Sequence, residues 1–376
     1  MMDFHFYENA TSEILEKLIK EQEDKGEVVT EEKKEELANS IFSKESIDNL
    51  TKPIYESLIK DAPVMYENHR LEQVEFESRL QKRWLEGFYG LKSIITLSEE
   101  IGMEIVNEYL SQEDRLNEDG KYTVLIEDDV LFKLHGKAVV TSKEIMTLLQ
   151  SGYPDAALSR WRTLHEISIV LSLLASKRKE DIEMGGEKGK ELAKRFFSRS
   201  FIEEYKIKKL ELEPDSPEMK LLEEERRLIK EEYGDKFIVN DYEWARPALK
   251  INPKKKVYFG DIENELGDKY LSVYYKQANN QIHSTAFGLY VSIGNIPNSG
   301  IGVNYGGSNY GLSLPAQLAM ISICKATTSL LNIDPTLDKI IMMNALQMYM
   351  DDYSDKFYGI QTQIEEEEWE IRDNKE

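Results

Sequence analysis

The sequence predicts an all-α fold, a multi-helix bundle core with an additional helical region at its N-terminal end. Three observations predict it. Only 10 prolines interrupt 376 residues. Leu, Glu, Lys and Ala recur at helical period along most of the chain. Hydrophobic residues make up 41%, enough for a sizeable core and too many for a disordered chain.

The elements follow in order. Residues 9 to about 60 read as three short acidic helices, with breaks near Lys25-Gly26 and at Ser43 and another turn from Asn49 to Pro53. Residues 66–113 read as long and helical, with Trp84, Phe88, Leu91, Ile95 and Leu97 supplying an apolar stripe. The segment TVLIEDDVLFKL is rich in β-branched residues and reads as a short hairpin or an irregular connection. Residues 138–150 and 154–176 are the most apolar helices, split at Gly152-Tyr153-Pro154-Asp155. Proline suits the first turn of the second, and the Asp155 carboxylate suits its positive end. Two charged helices, 188–210 and 216–234, form a hairpin turned at Glu213-Pro214-Asp215, followed by the aromatic segment NDYEWARPAL and the basic loop NPKKK. A short helix at 260–266 leads into a longer one at 268–291, and helices at 314–332 and 336–357 close the fold. The long loop between them, residues 294–311, is rich in Gly and Asn but lacks the Gly-Lys-Ser/Thr of a phosphate loop; it reads as a surface loop or a cover over the site. The chain thus divides into an acidic helical region (1–120), a helical core domain (130–350) and an acidic tail (351–376), which reads as a solvated helix end or a partner-docking arm.

Composition excludes several classes. Cys324 is the only cysteine, so intrachain disulfides and cysteine-based zinc clusters are ruled out, and in its apolar helix it reads as a small core residue. A net charge of −22 argues against broad binding to a phosphate backbone and suits a basic partner surface. No stretch approaches the roughly 18–20 uninterrupted apolar residues that span a bilayer, and the first residues carry acids without an apolar signal core. A cytoplasmic protein without membrane contact is expected.

The informative helix is DAALSRWRTLHEISIVLSLLAS, residues 155–176. On a helical wheel Ala157, Trp161, Leu164, Ile167, Val170, Leu171 and Leu174 cover about half the circumference, and Leu158 and Ile169 extend the apolar surface further. Such a helix belongs at the centre of a bundle, yet it carries Arg160, Arg162, His165 and Glu166. The last three share one face. Arg160 points the other way, into the apolar arc, where a guanidinium requires an acid or several carbonyls. The Arg162–Glu166 pair reads either as an ordinary helix salt bridge or as part of a working site. A second helix, YLSVYYKQANNQIHSTAFGLY, places Lys276, Asn279, Asn280, His283 and Tyr290 within roughly 100° of each other. Asn279 stands one turn from His283 and is placed to orient its imidazole.

The segments GYPDAALSRWRTLHE, NDYEWARP and YYKQANNQIHS, in that order, resemble a widespread prokaryotic family of all-helical proteins related to the HEPN (higher eukaryotes and prokaryotes nucleotide-binding) superfamily. The resemblance covers roughly residues 130–295 and implies an HEPN-like core. HEPN ribonucleases carry an Arg followed four to six residues later by a His, and four residues separate Arg160 from His165. Here Trp161 stands where a polar residue usually follows the Arg, and on a straight helix the two side chains diverge by about 140°. A second HEPN-like pattern, Arg and Glu on an early helix with Asn and His on a later one, is matched by Arg162, Glu166, Asn280 and His283.

The resemblance implies a metal-independent endoribonuclease with an RNA substrate, completed across a homodimer and serving antiviral defence or a toxin–antitoxin system. A His would act as general base or acid, an Arg would stabilise the phosphorane-like transition state, and Glu166 would orient His165 or Arg162. No cofactor or metal is expected. The alternative is a non-catalytic helical sensor or interaction module in a hetero-complex with a partner protein, its polar cluster being structural. A metal site using His165, Glu166 and His283 is a third reading, without an HExxH pattern to support it.

Overall fold

Turn and capping residues set where the helices stop. In the computed structural model, which describes residues 6–41, 43–112, 115–116, 121–283, 285–296 and 304–373, left-handed Gly26 follows α1 (Phe6–Asp24) and precedes α2 (Glu31–Ile41). The next helix, α3 (Lys44–Arg83), runs straight through the turn expected at Asn49 to Pro53 and contains both Pro53 and Pro63. Each proline removes one ladder donor, but both are exposed, so water can take the freed carbonyls. The region expected as long and helical, 66–113, is helical to Leu110 and divided at Trp84, between α3 and α4 (Leu85–Leu110). Trp84 is fully buried and donates from Nε1 to the Asn309 carbonyl at 2.9 Å.

The chain forms two compact units, residues 1–75 and 76–376. In the first, α1 packs on α2, and among the described residues none before Phe76 is buried. The second is built from α4 onward. Its α5 (Ile126–Gln150) begins inside the segment read as a hairpin or irregular; the three acids of its first turn, Glu127 to Asp129, favour a helix start over β propensity. Among the described residues there is no strand, only an isolated bridge between Leu116 and Tyr122. All-α is therefore the observed class.

The split at Gly152 is observed, with φ of 78°, and Pro154 opens α6 (Pro154–Met184). The charged hairpin is also as expected: α7 (Lys188–Glu211) and α8 (Pro217–Tyr233) flank residues 212–216, and the Ser216 hydroxyl accepts from Met219 N at 3.2 Å. A five-residue α9 (Asp235–Val239) and a 3-10 turn (Glu243–Ala248) follow. The segment expected as a short helix and one long one becomes α10 (Phe259–Leu266), a 3-10 turn (Lys269–Leu271), α11 (Ser272–Ile282) and α12 (Ala286–Tyr290). Finally come α13 (Ser313–Leu331) and α14 (Leu337–Asp373). The last carries the acidic segment as helix, with Phe357 and Ile364 buried.

At the centre lies α6, in contact with α5, α7, α10, α11 and α13. Its seam with α13 is bridged by side-chain hydrogen bonds. Trp161 Nε1 donates to Ser322 Oγ at 2.9 Å, and the Ser172 and Ser329 hydroxyls meet at 2.8 Å. Among the described residues α13 is the one helix long and apolar enough to cross a membrane; most of it is buried in the bundle. Cys324 packs there, and burial pushes its thiol up to about 12.

The α4–α14 contact is equally tight at Gly90, where an added Cβ would collide with the root of the Tyr353 side chain. Gly90→Ala should therefore cost about 1–3 kcal/mol, as overpacking does. Gly136→Ala, where an added Cβ meets open space, should gain up to about 1 kcal/mol from helix propensity. Urea unfolding of the two variants checks both signs.

Candidate functional site

The polar side chains of α6 are answered from several neighbouring elements. Arg162 and Glu166, one turn apart, pair at 2.9 Å, and both are about one-quarter exposed. Tyr275 of α11 closes the pair into a triangle. Its hydroxyl accepts from Arg162 Nη2 at 2.5 Å and donates to Glu166 Oε1. The guanidinium also lies over the Tyr275 ring, 4.6 Å from its centroid. Burial first, then the hydrogen bond to Glu166 and its charge, hold the Tyr275 hydroxyl far above the ordinary tyrosine range. Tyr242 is pushed up as well, by burial and then by the Glu166 carboxylate.

His165 lies one layer deeper and is fully buried. Its Nε2 sits 2.9 Å from Oε1 of Glu263 on α10, itself buried. Trp161 stacks on the imidazole at 5.2 Å, while Phe259 and Tyr275 each approach at 5.8 Å. Nδ1 has no hydrogen-bond partner. The histidine is thus enclosed by aromatic rings, its one polar contact spent on a protein carboxylate.

Arg160 does not enter the apolar arc, correcting the wheel-based expectation. Its side chain is 36% exposed and pairs with Glu144 of α5. Helices α5 and α6 form a hairpin about Gly152, and Glu144 and Arg160 each stand eight residues from it. The long side chain carries the guanidinium outward along the helix surface. Arg160 and His165 do not meet.

The second helix also differs from the wheel. With α11 ending at Ile282, His283 follows in extended conformation, exposed, its backbone N–H on the Asn279 carbonyl at 3.1 Å. The Asn280 amide serves the local turn, donating to the Lys276 carbonyl at 3.4 Å and accepting from Thr285 Oγ1 at 3.3 Å. The shared face drawn from Lys276 to Tyr290 does not exist, because the helix breaks within it. Among the described residues no three His, Cys, Asp or Glu side chains converge as a metal set, so His165, Glu166 and His283 form none.

Asp155 is at the start of α6 as expected, and its carboxylate accepts from Ser292 Oγ at 2.5 Å and from Ile293 N at 3.0 Å. It ties the start of the Gly/Asn-rich loop to the helix. Residues 297–303 of that loop lie outside the described residues; further on, Ser308 N donates to the Gly152 carbonyl at 2.8 Å.

Sequence reasoning missed Glu263, Tyr275 and Tyr242. Tyr275 sits in the quoted segment YYKQANNQIHS and Tyr242 in NDYEWARP, so the signal available was the aromatic content of those segments.

If the His165–Glu263 bond holds α10 on α6, Glu263→Ala should cost roughly 2–4 kcal/mol, because it strands a buried imidazole donor. Glu263→Gln keeps an acceptor oxygen and should stay within about 1 kcal/mol of wild type. Urea denaturation of both variants makes the comparison; equal losses would remove the hydrogen bond as the cause.

Residues 128–300, from the first turn of α5 to the loop after α12, match the profile of a family of unknown function (DUF5677). No curated protein and no solved structure matches the chain.

Proposed function

We propose that this protein is a non-catalytic helical interaction module, which docks a basic, amphipathic partner helix on the N-terminal half of α3. The observation that carries this reading is an apolar arc left exposed among the described residues. Ile47, Leu50, Leu58 and Met65 share one side of the helix, Tyr55, Ile59 and Tyr66 widen it, and all seven are exposed. Residues 1–75 hold nearly half of the net charge of −22, which disfavours a second copy and favours a basic partner. The inward-turned cluster on α6 supports the non-catalytic half of the reading, since His165 is sealed and Arg162 is neutralised by Glu166.

A Leu58→Glu/Met65→Glu variant separates the apolar face from simple charge attraction. A synthetic Lys/Leu amphipathic helix should bind the full chain and lose about tenfold in affinity to the variant, although the variant is more acidic. Fluorescence anisotropy reads this. Unchanged or tighter binding to the variant would refute the apolar docking face. Self-association by sedimentation equilibrium, abolished by the same substitutions, would assign the face to a homodimer instead.

The HEPN-like ribonuclease is the second reading, favoured by one observation: α11, which carries Asn280 and leads to His283, packs directly on α6. Arg162, Glu166 and Asn280 then lie on one helix pair with His283 just past the end of α11, with RNA as substrate and a dimer to complete the site. Labelled single-stranded and structured RNA is incubated with the full chain in EDTA, beside His283→Ala and Glu166→Gln. The non-catalytic reading expects no cleavage by the wild type. Cleavage lost in either variant would replace that reading with the ribonuclease.

A further inference from the structure

A cleft between α4 and α5 has the character of a small-molecule site, independent of the docking face on α3. Its cavity of about 370 Å³ falls within the range of ligand pockets, roughly 300–1,000 Å³. Most of its wall is apolar, formed by Met103, Val106, Phe132 and Val139, with the Lys143–Glu99 ion pair also facing it. Two glycines make room. A Cβ on Gly136 would stand in open space, and one on Gly102 would fall 2.5 Å from Nδ1 of His135.

His135 is the buried polar residue of this wall, 3% exposed, where Glu99, Asn107 and Lys143 lie nearer its surface. Its hydrogen-bond roles follow from α13. The Thr327 hydroxyl donates to the Ile323 carbonyl at 2.9 Å, so its single proton is committed. Its oxygen therefore accepts from His135 Nε2–H, 3.1 Å away. The proton on Nε2 leaves the lone pair of the neutral ring on Nδ1, which no protein donor bonds among the described residues. Burial holds the imidazole down at about 4, so the ring is neutral near pH 7 and Nδ1 is an acceptor.

We infer that the α4–α5 cleft binds a small, largely apolar molecule that donates one hydrogen bond, from a hydroxyl or N–H group, to His135 Nδ1. The apolar wall takes the body of the ligand, and the acceptor selects its orientation. A ligand lacking the donor would strand the imidazole lone pair in an apolar setting, which sets the discrimination.

A matched pair of probes tests this. 1-Naphthol and 1-methoxynaphthalene share a two-ring body, and only the first donates. Calorimetric titration of the full chain should show 1-naphthol binding about tenfold more tightly. His135→Phe keeps a ring in place and removes the acceptor, and should bring the two probes to equal affinity. Gly136→Leu fills the open space and should weaken both probes by at least about tenfold, while its thermal midpoint is not lowered. Equal affinities in the wild type, no binding of either probe, or full binding in a folded Gly136→Leu variant would each overturn the assignment.

Discussion

Burying α6 on almost every side obliges its polar residues to find partners among the helices that surround it. An uncompensated charge in such a place costs several kcal/mol, so the partners are part of the fold rather than an addition to it. Glu263 answers His165, Tyr275 answers Arg162 and Glu166 together, and Ser322 answers Trp161. Each comes from a different helix, α10, α11 or α13. The polar residues of α6 therefore fix which helices lie beside it and at what height, a specificity that the apolar surface alone does not supply.

The same constraint separates residues that spacing brings together. Arg160 and His165 fit an Arg/His motif along the chain, but their directions on the helix diverge by about 140°. One turns outward to Glu144 and the other inward to Glu263. Nearby buried acids follow the inward pattern: Asp128 holds Arg178 at 3.0 Å, and Asp181 caps α7 through the Lys188 and Gly189 amides, each at 2.7 Å.

Much of this was legible in the sequence. The all-α class, the central place of α6, the turn at Gly152 and the α7–α8 hairpin follow from periodicity and local turn chemistry, which act over a few residues. That Arg160 needs an acid was legible too; which acid was not, and the structure supplies Glu144, its mirror position about Gly152. What was not legible depends on contacts distant in the chain or on small local imbalances. Glu263 stands 98 residues from His165, and no periodicity links them. Helix α11 stops at Ile282 although its wheel reads on to Tyr290; Thr285 then caps the short α12, accepting from Gly288 N at 3.1 Å. Pro53 misleads in the opposite sense, because an exposed helix can leave its lost hydrogen bond to water.

The charge of the molecule is unevenly spent, and this bears on which partners it can hold. In the larger unit several acids are buried and matched: Glu243 with Arg246, Asp268 with Lys325 and Asp128 with Arg178. Their charge is consumed locally. In the first 75 residues no described side chain is buried, so the acids there act on the surroundings. Where α6 meets α11, the partly exposed guanidinium of Arg162 is held by Glu166 and by the hydroxyl and ring of Tyr275. A phosphate arriving at that guanidinium would meet the Glu166 carboxylate, 2.9 Å from it, and be repelled by it. A phosphate-bearing substrate would therefore meet a guanidinium whose charge is already matched. A basic helix approaching α3 breaks nothing and gains both apolar contact and opposite charge. That asymmetry is the physical reason to weigh α3 above α6 as the surface on which this protein acts.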